Sequence, residues 1–290
     1  MKRNIRVLKL FMLLLIVGLP LVFLSACDRE KDSDNGKLKV AVTIEVERAF
    51  VEAVAGDLVD IVTLVPKGGS PETFEASPVE IEKFKESDIF FALELPVENS
   101  KNVPVDGDFK TVSLADAARV EYKDREFAPG SRDHHSWLSP KRVMLMVEKI
   151  AEVLIAEDPL NEEVYLANKT AYLEELSELD DKIVDILDVK DRNTFLIFHP
   201  ALGYFADDYG LNMLAFEEEG KEADPKRIGE LIDLAKSEGI KGILTTEEIS
   251  AKQVEAFAEE IGGEVVVVEV LSSDYVGAME NIAREIARLL

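Results

Sequence analysis

Histidine is scarce in this 290-residue chain, and its three copies sit where an apolar run ends or a helix is about to begin. His199 closes the run Thr194 to His199 (TFLIFH) and is followed by Pro200-Ala201-Leu202-Gly203-Tyr204. A histidine leaving a buried strand for a loop is well placed to coordinate a metal, although a hydrogen-bonded structural histidine fits the same position. His134 and His135 lie in Arg132-Asp133-His134-His135-Ser136-Trp137-Leu138-Ser139-Pro140, a loop that delivers into a helix. Adjacent loop residues point in different directions, so at most one of the two is expected to be a ligand. Two acids occupy comparable places: Glu72, in the Gly/Pro loop after the run Val59 to Val65, and Glu269, after Val265 to Val268. In a chain with 58 acidic residues neither stands out alone. As a set, Glu72, His135, His199 and Glu269 are separated by 63, 64 and 70 residues, two in each half of the chain. Two imidazoles and two carboxylates facing each other across a cleft suit a borderline-to-hard divalent cation. Trp137, the only tryptophan, is expected to pack in the core or the wall between the halves.

Short apolar runs alternating with helical stretches must position these residues. Leu38 to Thr43, Val59 to Val65, Asp88 to Leu93 and a weaker run near Phe109 read as strands of a first half. Thr194 to His199, a run from Leu211, one from Ile240 and one from Glu264 read as strands of a second. Helices lie between them: about Val46 to Ala55, one opened by Ser77-Pro78 with Glu80 completing a capping box, and one from Ser139-Pro140 to about Ala156. In the second half, helices are capped by Asp224-Pro225 and by Ser250 with Gln253, and a last helix runs to the C-terminus. Apolar runs without strict alternation, separated by helices, predict parallel strands covered on both faces, so the fold class is α/β. Asn161 to Leu187 holds no Gly or Pro and carries a stripe of Leu166, Tyr172, Leu173, Leu176, Leu179, Ile183 and Leu187. The expected organisation is a lobe over 37–159, one long rigid linking helix over 160–190, and a second lobe over 191–290. Each lobe is a mostly parallel sheet flanked by helices. In open sheets of this kind ligands bind at the carboxyl ends of the strands, where the four candidates fall.

Composition sets the boundaries of function. A formal net charge of −25, from 33 basic and 58 acidic residues, argues against nucleic acid or anionic lipid as a partner, because both need Lys and Arg to neutralise phosphate. A hydrophobic fraction of 47% excludes wholesale disorder. One cysteine excludes an intrachain disulfide and a Cys-rich metal site. That cysteine, Cys27, follows a basic segment (Lys2, Arg3, Arg6, Lys9), an apolar run from Leu10 to Leu24, and the small residues Ser25-Ala26. The pattern is that of a secretory signal over 1–26 and resembles the lipobox at which bacterial-type lipoproteins are cleaved and lipidated, which implies a lipid on Cys27. The polar stretch 27–36 then reads as a tether. Loss of the signal's four basic residues deepens the net charge to −29.

The motifs together resemble the metal-binding lipoproteins of ABC importers, the cluster A-I solute-binding family for zinc and manganese. The resemblance runs from about Lys37 to the C-terminus. The family's Gly-x-Asp-Pro-His loop is here Gly69-Ser70-Pro71-Glu72, and its Asp-Pro-His-x-Trp-Leu-Asp-Pro stretch is Asp133 to Pro140. His-Pro-Ala-x-x-Tyr-Phe followed by Tyr-Gly-Leu reappears as His199 to Phe205 and Tyr209 to Leu211. Glu219 to Glu222 and Pro225 to Arg227 match a further segment, and the family's last ligand segment, Asp-Pro-Leu, is Glu269-Val270-Leu271. The resemblance implies an extracytoplasmic, lipid-anchored, monomeric binding protein without enzymatic activity. It would capture one divalent metal between two lobes and deliver it to an ABC permease and its ATPase. Glu72 stands where the family has His and Glu269 where it has Asp. Two His with two acids, and no His-rich loop over 121–133, place Mn(II) ahead of Zn(II), with Fe(II) third. Binding is expected to weaken as pH falls through a histidine pKa near about 6.5. The alternatives are a siderophore- or cobalamin-type binding lipoprotein, which needs no His/acid quartet, and a metallohydrolase, for which no HExxH base motif is present.

Overall fold

The computed structural model describes residues 36–99, 103, 109–188, 192–218, 221–222 and 224–290. The signal, Cys27 and the tether up to residue 35 lie outside the described residues, as do Glu219 and Gly220 of the matched segment.

Two four-stranded parallel sheets carry the fold. The first consists of β1 (Leu38–Val42), β2 (Val59–Thr63), β3 (Ile89–Ala92) and β4 (Lys110–Ser113), in the order β2-β1-β3-β4. A small hairpin, β5 (Glu126–Ala128) and β6 (Ser131–Arg132), precedes the loop with the paired histidines. The second sheet holds β7 (Thr194–Ile197), β8 (Asn212–Ala215), β11 (Gly242–Thr246) and β12 (Glu264–Val268), in the order β12-β11-β7-β8. Between β8 and β11 lies a short antiparallel pair, β9 (Glu217–Glu218) and β10 (Lys221–Glu222). Each sheet starts at an inner strand, adds its second strand on one side and its third and fourth on the other. Both therefore have the same winding, and in each the direction of connection reverses between two central strands. The crevice at such a reversal, outside the strand carboxyl ends, is where open α/β sheets bind ligands.

The helices follow the sequence signals. They are α1 (Glu45–Ala55), α2 (Pro78–Lys85), α3 (Leu114–Arg119), α4 (Pro140–Glu157), α5 (Glu162–Leu187), α6 (Gly203–Asp208), α7 (Pro225–Glu238), α8 (Ala251–Ile261) and α9 (Tyr275–Leu289). The capping box of α2 forms as its sequence predicts, with Ser77 Oγ accepting from Glu80 N and Glu80 accepting from Ser77 N. Asp224 caps α7 through Lys226 N and Arg227 N. Ser250 differs: its side chain makes no cap, and Gln253 N donates to the Ser250 carbonyl instead, at 2.8 Å. α3 and α6, six residues each, carry too little periodicity to be read from sequence.

α5 spans 26 residues, about 39 Å at 1.5 Å per residue. It is clasped by α1, α4 and α9. Leu176, Leu179, Ile183 and Leu187 are buried, as the stripe predicts, but Leu166 is 39% exposed and its neighbour Tyr165 takes the core position. Tyr165 is fully buried at the ring, and its hydroxyl donates to Asp158 at the helix entry, 2.8 Å away. Asn168 Nδ2 donates to the Val54 carbonyl of the first lobe, while Asp180 accepts from Tyr209 of the second. One continuous apolar cluster runs from Val40 and Phe90 through Leu176 and Ile183 to Ile197 and Ile282, so the lobes share a core as well as a helix. A second cluster, around Phe216, Leu231 and Val254, fills the outer face of the second sheet. Among the described residues no helix is long and apolar enough to cross a membrane.

Candidate metal centre

Glu72, His135 and His199 meet in the cleft between the lobes, their donor atoms all within 4.8 Å of one another. Each arrives by a different device. Glu72 rides on the loop after β2, where Gly68 at φ 83° and a bond from Gly69 N to the Pro66 carbonyl turn the chain back. Left-handed backbone of that kind favours glycine, which has no Cβ to clash. Phe74 N and Thr73 N then close on the Ser70 carbonyl, leaving the Glu72 carboxylate at the cleft. His199 leaves β7 through Phe198, whose N–H still bonds Leu244 of β11. His135 is set by Asp133, which is fully buried and whose Oδ1 accepts both the His135 backbone N–H (3.0 Å) and its ring Nδ1–H (2.8 Å). His134, next in the chain, turns away toward the Glu94 backbone and Arg132, and burial lowers its pKa.

Both ligand-candidate rings are fixed from behind by a carboxylate. Asp133 holds Nδ1 of His135, and Glu217 Oε2 holds Nδ1 of His199 at 2.8 Å. An ionised carboxylate only accepts, so both Nδ1 atoms carry the proton and both Nε2 atoms face the cleft. The two Nε2 atoms lie 3.3 Å apart, and Glu72 Oε1 is 3.2 Å from His199 Nε2 and 3.9 Å from His135 Nε2. Two nitrogens on one tetrahedral zinc, each bonded at 2.0–2.1 Å, would lie about 3.3–3.4 Å apart. Carboxylate–histidine pairs of this kind orient metal-binding rings and raise their basicity.

The electrostatics favour a positive charge at the point where the three donors converge. Burial disfavours a charged His199 ring, but the carboxylates of Glu217 and Glu72 outweigh it and raise its pKa to about 10. The same contact with His199 holds the Glu72 carboxyl below its ordinary range, against the opposing effect of burial. The site thus attracts a cation into a pocket where His135 and His199 are only 7% and 8% exposed.

Asp133 is itself kept in place by close packing. Tyr204 donates to the Asp133 carbonyl at 2.8 Å, and Arg125 stands 3.8 Å from Oδ2. A Cβ on Gly203 would lie 2.7 Å from Asp133 Oδ2, so only glycine allows this approach. Asp133→Asn keeps the volume but weakens the hold on the Nδ1 proton. It is expected to reduce zinc affinity about 10–100-fold in a chelator-competition titration; an unchanged affinity would show that Asp133 does not tune the ligand.

Trp137 fills the wall between the lobes, as expected, and it also joins them. Its Nε1 donates to the Val270 carbonyl at 2.8 Å, and the Tyr275 hydroxyl donates to the Trp137 carbonyl at 2.9 Å. The cavity beside it is lined by Glu72, His135, His199, Glu217, Glu248 and Val270, among others. Glu269 is not among them. It follows β12, as its sequence position implies, but it lines a neighbouring cavity with Glu45, Lys67 and Glu247. The reason is strand parity: Val270 faces the cleft with the histidines, so the preceding residue faces the other way. Asp133, Glu217 and Glu248 are the cleft acids that the sequence did not single out. Asp133 could have been flagged by its place two residues before His135; Glu248 could have been flagged by its place just after a strand.

Two parallel α/β lobes thus hold between them a nitrogen–oxygen donor set of the kind that takes a divalent metal. The family model described as the periplasmic component A of the zinc-uptake complex, ZnuA, matches residues 40–289, and the chain belongs to that family. The zinc-binding lipoprotein AdcA of Streptococcus pneumoniae (strain ATCC BAA-255 / R6) is 29% identical over 94% of this chain and 56% of its own length. The zinc-binding protein AdcA of Streptococcus pyogenes serotype M1 is 31% identical over 82% of this chain and 51% of its own. The chain therefore spans about half the length of these relatives. The manganese-binding lipoprotein MntA of Halalkalibacterium halodurans is 28% identical, with 77% of this chain and 75% of that protein covered. Among solved structures, a crystal structure of ZnuA superposes with a TM-score of 0.81 at 30% identity, covering 87% of this chain and 99% of that one. The periplasmic zinc-binding protein TroA of Treponema pallidum shares the fold, with a TM-score of 0.80 at 20% identity.

Proposed function

We propose that this protein captures a divalent transition metal outside the cytoplasm and hands it to an ABC permease powered by its ATPase. Glu72, His135 and His199 are the ligands, and the protein is a binding component without catalytic activity. The observation that carries the reading is the convergence of two Nε2 atoms and a carboxylate oxygen on one point, with each ring's other nitrogen tied to a carboxylate. The cargo is zinc ahead of manganese, because two imidazole nitrogens with a single convergent carboxylate suit zinc, whereas manganese favours a set richer in oxygen. This reverses the order suggested by the two acids that replace family residues, and the named zinc-binding relatives support the reversal. Cys27 carries the lipid that tethers a monomer to the membrane. The boundaries of the two lobes, 37–159 and 191–290 with a linking helix over 160–190, are the working limits for this protein.

Equilibration of the purified protein with equimolar Zn(II), Mn(II) and Fe(II), followed by desalting and elemental analysis, tests the assignment. About one zinc per chain is expected, with little of the others. Manganese in excess of zinc would reverse the cargo assignment, and no retained metal would remove the importer reading.

A further inference from the structure

We infer that Glu248 supplies a fourth ligand to the bound metal, the part the sequence spacing assigns to Glu269. The inference rests on the cleft being a metal site. Its first support is position. β11 and β12 run parallel to their ends, with Thr246 beside Val268; Glu247 and Glu248 then follow β11 as a turn, and Glu247 reaches across to the Val270 and Leu271 N–H groups. The cavities separate the acids: Glu247 and Glu269 line one, whereas Glu248, with Thr246, Ile249 and Val270, lines the one that contains Glu72, His135 and His199.

The second support is topological. The connections of the second sheet reverse between β7 and β11, its central pair. His199 leaves the end of β7, and Glu248 follows the end of β11, so the two flank the crevice where such sheets bind ligands. Glu269 follows β12, the edge strand.

The third support is an unmet demand. Glu248 Oε2 is buried and has no hydrogen-bond partner among the described residues. A buried carboxylate oxygen in that state is costly unless a cation or donor meets it. The other acids nearby are already engaged. Glu247 accepts the N–H groups of Val270 and Leu271, and Glu217 holds the His199 ring. Glu248 lies outside the trio whose donor atoms fall within 4.8 Å of one another, so its approach is a rotation of the side chain toward the metal. A second carboxylate on the metal with Glu72 cancels the charge of a dication bound by two neutral imidazoles.

The test is a Zn(II) titration against a chromophoric chelator for wild type, E248Q, E269Q and H199A, each checked for cooperative unfolding without metal. E248Q is expected to lose at least about tenfold in affinity, the lower end of what even an outer-sphere partner contributes, and E269Q to match wild type. With Co(II) in place of zinc, E248Q should also change the visible d–d absorption, while E269Q should not. An E248Q titration that superimposes on wild type, while H199A loses binding, overturns the inference and leaves the metal site standing. A wild type that binds no zinc overturns both.

Discussion

Saturating Zn(II) will raise the melting temperature of the wild-type protein by about 5–10 °C and leave His199→Ala unmoved. A ligand at a hundred times its Kd stabilises the folded state by about 2.7 kcal/mol. In proteins of this size each kcal/mol shifts the midpoint by roughly 2–4 °C. His199 is the variant to use because its Nε2 lies within reach of both other donors, 3.3 Å from His135 and 3.2 Å from Glu72. Its removal takes a ligand and the only cationic partner of Glu72 and Glu217 in the trio. The metal-free variant is expected to melt at a different temperature from the wild type, since the carboxylates of Glu72 and Glu217 lose their partner. The informative quantity is therefore the zinc-induced shift within each protein. A shift in His199→Ala equal to that in wild type would place the metal elsewhere.

The metal-free protein will become less stable as pH rises from about 4.5 to 7, and Glu47→Gln will flatten that slope. Glu47 and Glu98 lie together just past the carboxyl ends of β1 and β3, where Glu47 accepts Thr43 N and Ile44 N. Glu98 accepts the Thr43 hydroxyl, Leu93 N and Glu94 N, the last from a residue at φ 61°. Both are almost fully enclosed, 0% and 3% exposed. Burial raises Glu98 from 4.5 to about 7 despite its hydrogen bonds, and burial with the facing Glu98 charge raises Glu47 as well. A raised acid binds its proton more tightly in the folded chain than in the unfolded one, so unfolding free energy falls with increasing pH. The contribution is intact below 4.5 and is lost by about pH 7. At about 1.4 kcal/mol per pH unit, the Glu98 shift amounts to about 3 kcal/mol as an upper figure.

Glutamine at position 47 keeps an acceptor for both backbone N–H groups and places an amide where Glu47 Oε1 has no partner. It also removes the like charge facing Glu98. Urea unfolding at pH 4.5, 5.5, 6.5 and 7.5 with chelator present gives the two curves. Their difference isolates the pair, because Glu94, His134 and His199 titrate in both proteins. Parallel curves would show that the pair does not take up a proton in this range.

The strands, the helix caps and the long helix were legible in the residues because each is a local property. A run such as Thr194 to His199 or a Ser-Pro-x-Glu start reports backbone preference without reference to distant chain. Glu72, His135 and His199 were legible as strand-end and loop residues of metal-binding type. His135 rather than His134 was named through its place in the resembled motif; the physical cause, Asp133 holding both the backbone and the ring of His135, appears only in the fold. Tyr165 and Leu166 exchanged roles for a similar reason: a one-residue shift of phase, about 100°, is set by the helices that clasp α5, not by its own period.

By itself, the sequence determined two α/β halves, a long helix between them, an acidic surface, and a short list of nitrogen and oxygen donors at strand ends. Tertiary structure decided the partnership of those donors. Glu72, His135 and His199 are more than sixty residues apart in turn, and they meet only because the lobes close over a common core. The way the chain leaves two neighbouring strands sent Glu269 to one cavity and Glu248 to the other. Alternation along a strand is written in the chain, but which of its two faces meets the ligand is fixed only when the sheets are packed.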